Sequence, residues 1–297
     1  MSQLERPSAG QNEVLCLSAG DAQATISLLG GELQSWAVGD RNLLWHGDPR
    51  HWESRAPILF PIVGRVRDDQ LRLRGKSHPI LRHGFAQHSL FEKVAHSKSA
   101  AALRLTSSAA DTEIPLDFSL DLKVELTPAE LRLGFVVKNT GADVLPYALG
   151  FHPAFLWPFD GGNLEDYSVW FDQQEVSLSP TITPDGLVGR QLRSVPFDAT
   201  RLPLEPDLFA SGALIFLNAA SRWMRYEAPS RRSITMSVEN FPHLALWTKP
   251  TAPFVSLECW TGHGDPEDYW GDIYSKPSMT LLKPDEVGTH QVRLLWQ

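Results

Sequence analysis

Apolar and polar residues alternate with a period of two over several segments. These are EVLCLS (13–18), ATISLL (24–29), ALRLTS (102–107), SLDLKVELT (119–127), ELRLGFVVKNT (130–140) and SITMSVEN (233–240). Successive side chains of a strand point to opposite faces, so this pattern predicts antiparallel strands with one face buried. Prolines and glycines fall mostly between the segments, at Gly30-Gly31, Pro128, Gly141 and Pro229, where they end strands and make turns. An amphipathic helical pattern longer than about three turns is lacking. No fixed-period repeat, charge block or low-complexity linker divides the chain. The expectation is an all-β fold, one large antiparallel β-sandwich over 13–297 behind a short mobile leader at 1–12.

Composition narrows the partners. The 297 residues are 42% hydrophobic and 21% charged, ample for a well-buried core. The formal charge of −8 disfavours nonspecific attraction to nucleic acid or anionic lipid. No run approaches the roughly 18 apolar residues of a membrane span. The opening MSQLERPSAGQNE lacks the apolar core of a secretory signal. Cys16 and Cys259 have neither a CxxC nor a disulfide-framework spacing. These observations point to a reduced, cytoplasmic setting and a small neutral or locally held substrate, with no nucleic-acid or membrane partner.

Three polar residues interrupt apolar context. His152 lies in LGFHPAF (149–155), where Pro153 cannot donate to a sheet ladder and should end a strand at a rim. A lone histidine there is ordinarily a core histidine satisfied by a backbone carbonyl. A second site changes that reading: in LRHGFAQ (81–87), His83 precedes Gly84, which permits close backbone approach or a positive φ, and follows the charged hairpin-like stretch VRDDQLRLRGKSH. Glu258 is a carboxylate inside PFVSLECW (253–260), which otherwise reads as a buried strand. Carboxylates are almost never fully buried without a partner or a task.

LFPIVGRV (59–66), RHGFAQ (82–87), LGFHPAF (149–155), LALWTKPTAPFVSLECWTG (244–262) and LLKPDE (281–286), in this order and spacing, resemble the aldose 1-epimerase family of galactose-mutarotase-like proteins, as does GGELQSWAVGDRNLLWHGDPRHW (30–52). The resemblance runs from about residue 13 through nearly the whole chain. It implies a β-sandwich with the sugar site on one concave sheet, and interconversion of α and β anomers of an aldose or sugar phosphate without cofactor or metal. Carried over by position, His152 resembles the general acid, Glu258 the general base, His83 a histidine that polarises the ring oxygen, Arg65 a ligand of substrate hydroxyls and Trp247 a residue lining the site.

The chemistry fits these types. The anomeric hydroxyl must lose a proton while the ring oxygen gains one. A carboxylate with a reference pKa of about 4.3 and an imidazolium of about 6.5 can do both near neutrality.

Two positions depart from the family pattern: Cys259 stands where proline usually follows the glutamate, and Gln87 where arginine often follows HGFA. A nucleophilic role for Cys259 is not expected, since its sulfur should point away from Glu258 in an alternating strand. The basic set Arg65, Arg67, Arg72, Arg74, Lys76 and Arg82 could hold a sugar phosphate or form a solvated hairpin. Of ten tryptophans, Trp247 is expected at the site and the others in structural positions. GHGDPEDYWGD (262–272) fits no EF-hand and is expected as a solvated loop. Two rival classes remain: a noncatalytic carbohydrate-binding or regulatory module, and a metal enzyme using His83, His152 and Glu258 as a two-histidine, one-carboxylate set. A glycosidase would need a second well-placed carboxylate beside Glu258.

Overall fold

The computed structural model describes residues 13–110 and 112–297, so the expected leader at 1–12 lies outside the described residues. The alternating segments form strands. Phe118–Leu126 and Glu130–Asn139 pair antiparallel over their full length, burying Leu120, Leu122 and Val124 on one side and Leu131, Leu133, Phe135 and Val137 on the other strand's matching side. These two strands lie within a nine-stranded sheet, next to the C-terminal strand Val287–Trp296.

A second sheet faces the first. Its strands run in the order Leu214–Phe216, His243–Trp247, Phe254–Trp260, Gly150–Phe151 and Ile58–Leu59, all antiparallel, with Ala154–Leu156 also pairing with Phe254–Trp260. The two sheets bury their facing sides in one core cluster that includes Leu15 near one end of the chain and Leu294 near the other. Phe135 of the large sheet meets Phe151 of the smaller one with ring centroids 6.1 Å apart, the interdigitation of a sandwich. Among the described residues there is no α-helix, and no helix long and apolar enough to cross a membrane.

The strand Phe254–Trp260 is buried on both faces, which is why it reads as a nearly continuous apolar run. Val255, Leu257 and Cys259 enter the main core, so the Cys259 sulfur lies on the face opposite Glu258, as alternation requires. Phe254, Ser256, Glu258 and Trp260 take the other face. That face lies away from the sandwich core, and smaller elements cover it.

The fold also includes two two-stranded ribbons. Gln70–Leu73 and Lys76–Pro79 form the charged hairpin, closed by Arg74 and Gly75 at φ 52° and 73°, the left-handed pair of a two-residue turn. Leu178–Ile182 and Val188–Ser194 form the other, whose Val188 bridges to Pro266. A separate four-stranded sheet at the N-terminal end runs from Val14–Ala19 to Arg41–Asn42.

Candidate active site

Gly150 pairs with Trp260 and Ala154 with Ser256 in one continuous register, which sets His152 opposite Glu258. Pro153 interrupts the ladder between them, and the imidazole turns to the outer face. Residues directly opposite on neighbouring antiparallel strands have Cβ atoms about 4.5–5.5 Å apart. His152 Nε2 accordingly lies 3.1 Å from Glu258 Oε1. Phe151 and Phe155, both in the core, anchor the backbone on either side of the histidine.

Glu258 is 2% exposed and His152 6%. Burial penalises the charged form of each. The carboxyl is pushed up to about 8, although the Trp260 indole opposes this by donating Nε1–H to Oε2 over 3.0 Å. The imidazole is pushed down to about 3. Near neutrality burial therefore favours the neutral form of each, a protonated carboxyl beside an uncharged imidazole, rather than the separate carboxylate and imidazolium of the reference values. Gly150 makes room for the Trp260 ring, since a Cβ there would lie 3.1 Å from the indole Cδ1.

His83 arrives from the loop beside Ile58–Leu59. Its own φ is 69° and that of Gly84 is 78°. A Cβ on Gly84 would sit 2.2 Å from the Phe60 carbonyl oxygen, so only glycine permits the Phe60–Gly84 bridge that fixes this loop. The Gly64 amide donates to His83 Nδ1 at 3.1 Å, which places the proton of the neutral ring on Nε2. Burial holds His83 well below the usual histidine range. Its ring stands perpendicular to that of His152 at 5.9 Å between centroids.

A cavity of about 340 Å³ joins these groups; Arg65, Arg82, Gln87, Trp52, Trp247 and Trp260 line it with His83, His152 and Glu258. All five candidate residues from the sequence thus converge. The His152 ring packs against two mutually touching indoles, 4.9 Å from Trp52 and 5.5 Å from Trp247.

Trp52 and Trp260 were expected in structural positions, yet both line the cavity. Trp260 was recoverable in principle, because i and i+2 of a strand share a face. Trp52 carries no such signal.

Arg65 reaches the cavity with its guanidinium already engaged: Nε and Nη2 donate to the Asp69 carboxylate at 2.6 and 2.5 Å, and Nη1 to the Asp185 carbonyl at 3.1 Å. Within the rest of the basic set, Arg72 pairs with Asp68, Arg74 with Asp143, and Arg67 lies over the Trp270 ring. Arg82 is the other arginine on the cavity wall.

The stretch 262–272 departs from expectation, for Gly262–Asp265 is buried rather than solvated. Asp265 explains this, since it pairs with buried Lys276 at 3.0 Å and accepts from the Arg67 amide at 2.9 Å. Among the described residues no group of three or more His, Cys, Asp or Glu side chains is arranged to hold a metal ion. His83 Nδ1 is engaged with the Gly64 amide and His152 Nε2 with Glu258.

The family model described as aldose 1-epimerase matches residues 13–294. Protein LacX, chromosomal, of Lactococcus lactis subsp. lactis is 32% identical over 273 residues, covering 86% of this chain and 90% of the relative. A galactose mutarotase-like protein from Lactobacillus casei superposes with a TM-score of 0.89 at 28% identity, covering 96% of this chain and 100% of that one. A galactose mutarotase related enzyme from Lactobacillus acidophilus gives 0.88 at 25% identity, with 96% and 97% covered.

Proposed function

The chain belongs to the aldose 1-epimerase family, and from that premise we propose that it interconverts the α and β anomers of an aldose by general acid and base catalysis. The observation that carries the reading is the His152–Glu258 pair, one proton on two buried groups 3.1 Å apart at the wall of a sugar-sized cavity.

In the reaction, Glu258 accepts the proton of the anomeric hydroxyl as the C1–O5 bond breaks and C1 becomes an aldehyde. His152 delivers a proton to O5. The pair thus gives up one proton and takes up one, and its total is unchanged. Rotation about C1–C2 presents the other carbonyl face, and the same transfers run backwards to close the ring. The pair starts with its proton on the carboxyl. That proton crosses to His152 as the hydroxyls of the entering sugar solvate the carboxylate. His83 Nε2–H donates to O5 from the adjacent wall, neutral throughout and so unable to repel the proton coming from His152. Trp52 and Trp247 hold the His152 ring at one angle, which keeps its reach to O5 short.

The test is relaxation of freshly dissolved α-anomers of galactose, glucose and glucose 6-phosphate, followed by polarimetry or NMR, with wild type and His152→Asn side by side. Acceleration by wild type alone supports the reading. Equal rates with and without protein for these three sugars and for the deoxy forms of galactose and glucose would remove it. A sugar phosphate is the second reading, favoured by Arg82 on the cavity wall; faster relaxation of glucose 6-phosphate than of glucose would select it.

A further inference from the structure

The cavity is chemically two-sided. His152, Glu258, His83 and Gln87 come from Phe254–Trp260 and from the elements on the Ile58–Leu59 side of it, and the Arg82 guanidinium reaches from that side to the ribbon turn at Gly186. On the other side the sheet continues through Ala245, opposite Glu258, to Ile215, opposite Ala245. There the wall is built by Ile182 and Val188 of the ribbon with Gly212, Ala213 and Ile215, none of which has a polar side chain.

The backbone of that wall is already engaged. The Gly212 and Ala213 carbonyls both accept from Arg193 Nη2 at 2.7 Å, and the Ile215 amide donates to Ser179 Oγ at 2.8 Å. The Val188 amide donates to the Asp265 carbonyl at 2.9 Å. A sugar hydroxyl pressed against this surface gives up water and receives little in return, whereas a C–H group gives up nothing.

Resting on the proposed epimerase reading, we infer that the substrate is a deoxyaldose, whose methyl or methylene group faces Ile182, Ala213 and Ile215. The volume of about 340 Å³ lies at the low end for ligand sites and suits one monosaccharide rather than a chain of them. The polar side engages the anomeric centre and the remaining hydroxyls. The apolar side selects against a hydroxyl at the edge that lies over it.

The experiment compares matched pairs, D-galactose with D-fucose, its 6-deoxy form, and D-glucose with 2-deoxy-D-glucose, subtracting the spontaneous rate of each. A deoxy preference of about 10-fold or more in kcat/KM is expected in at least one pair, the scale on which apolar pockets discriminate, and the pair that shows it identifies the edge. Ala213→Ser supplies a hydroxyl partner on the wall and is expected to bring that ratio towards one without lowering the melting temperature. Parent sugars turned over as well as or better than their deoxy forms in both pairs would overturn the inference while leaving the epimerase reading standing. Fluorescence titration of the cavity tryptophans separates the opposite case: tighter deoxy binding without acceleration supports the inference and removes the epimerase reading. Neither binding nor acceleration overturns both.

Discussion

His152 faces Glu258 across one register position of two antiparallel strands, and their side chains meet at 3.1 Å between Nε2 and Oε1. The contact follows from pairing, since Gly150–Trp260 and Ala154–Ser256 fix the register on both sides of Pro153. A shift of one residue would turn Glu258 into the sandwich core and Cys259 into the cavity.

Removing either member should stop turnover and spare the fold. His152→Asn and Glu258→Gln are each expected to lower kcat by about 10²–10⁴-fold, the usual range for a lost general acid or base. Both replacements keep polar atoms at the contact, so circular dichroism should be unchanged. Near-normal mutarotation in either variant would remove that residue from the mechanism.

Stability should record the same pair through pH. The Glu258 carboxyl has an ordinary value of 4.5 and stays protonated in the fold to about 8. Over that window the unfolded chain has lost a proton the folded one keeps, so this group makes stability fall as pH rises. His152 runs the other way: the unfolded ring is protonated below 6.5 and the folded one only below about 3. Its contribution makes stability rise with pH between those limits. The slopes oppose each other from 4.5 to 6.5, leaving a net fall from 6.5 to about 8. Melting temperatures across pH 6–9 should show wild type losing more than Glu258→Gln, whose amide cannot ionise. Parallel curves would mean that Glu258 is already ionised in the fold.

The sequence made the exceptions legible more readily than their arrangement. Period-two alternation marks Phe118–Leu126 and Glu130–Asn139 because each strand buries one face. His152 and Glu258 stand out because a polar group in an apolar run needs a partner. That each is the other's partner depends on a register set by strands far apart in the chain, which local pattern does not carry. Trp52 is unreadable for a different reason: an indole packs equally well in a core or against a cavity, and only its placement beside His152 distinguishes them. Burial of Asp265 was hidden in the same way, since Lys276 arrives from a later segment.

Trp260 should act on the rate through Glu258. Its Nε1–H stabilises the ionised carboxylate from 3.0 Å and lowers the Glu258 pKa. Trp260→Phe keeps an aromatic ring but loses that donor, so the carboxyl should titrate higher still. In the pH profile of kcat/KM, activity should decline once the pair loses its single proton, near pH 8 in wild type and at higher pH in the variant. The lost hydrogen bond to a charged group should also cost about tenfold in kcat at pH 7. A lower rate with an unmoved alkaline limb would reduce Trp260 to packing.

His83 separates backbone demand from chemistry. Its φ of 69° is a conformation that asparagine tolerates and alanine resists by about 1–2 kcal/mol. His83→Asn should therefore melt close to wild type, and His83→Ala lower. Both lose the Nε2–H donor facing the cavity, so both should lose activity to a similar extent despite their different stabilities. A purely structural histidine predicts the opposite pattern: activity would follow stability, and the asparagine variant would turn over at the wild-type rate. Measuring the melting temperature and kcat of the same two variants thus decides whether the left-handed loop exists to deliver an imidazole or the imidazole merely occupies the loop.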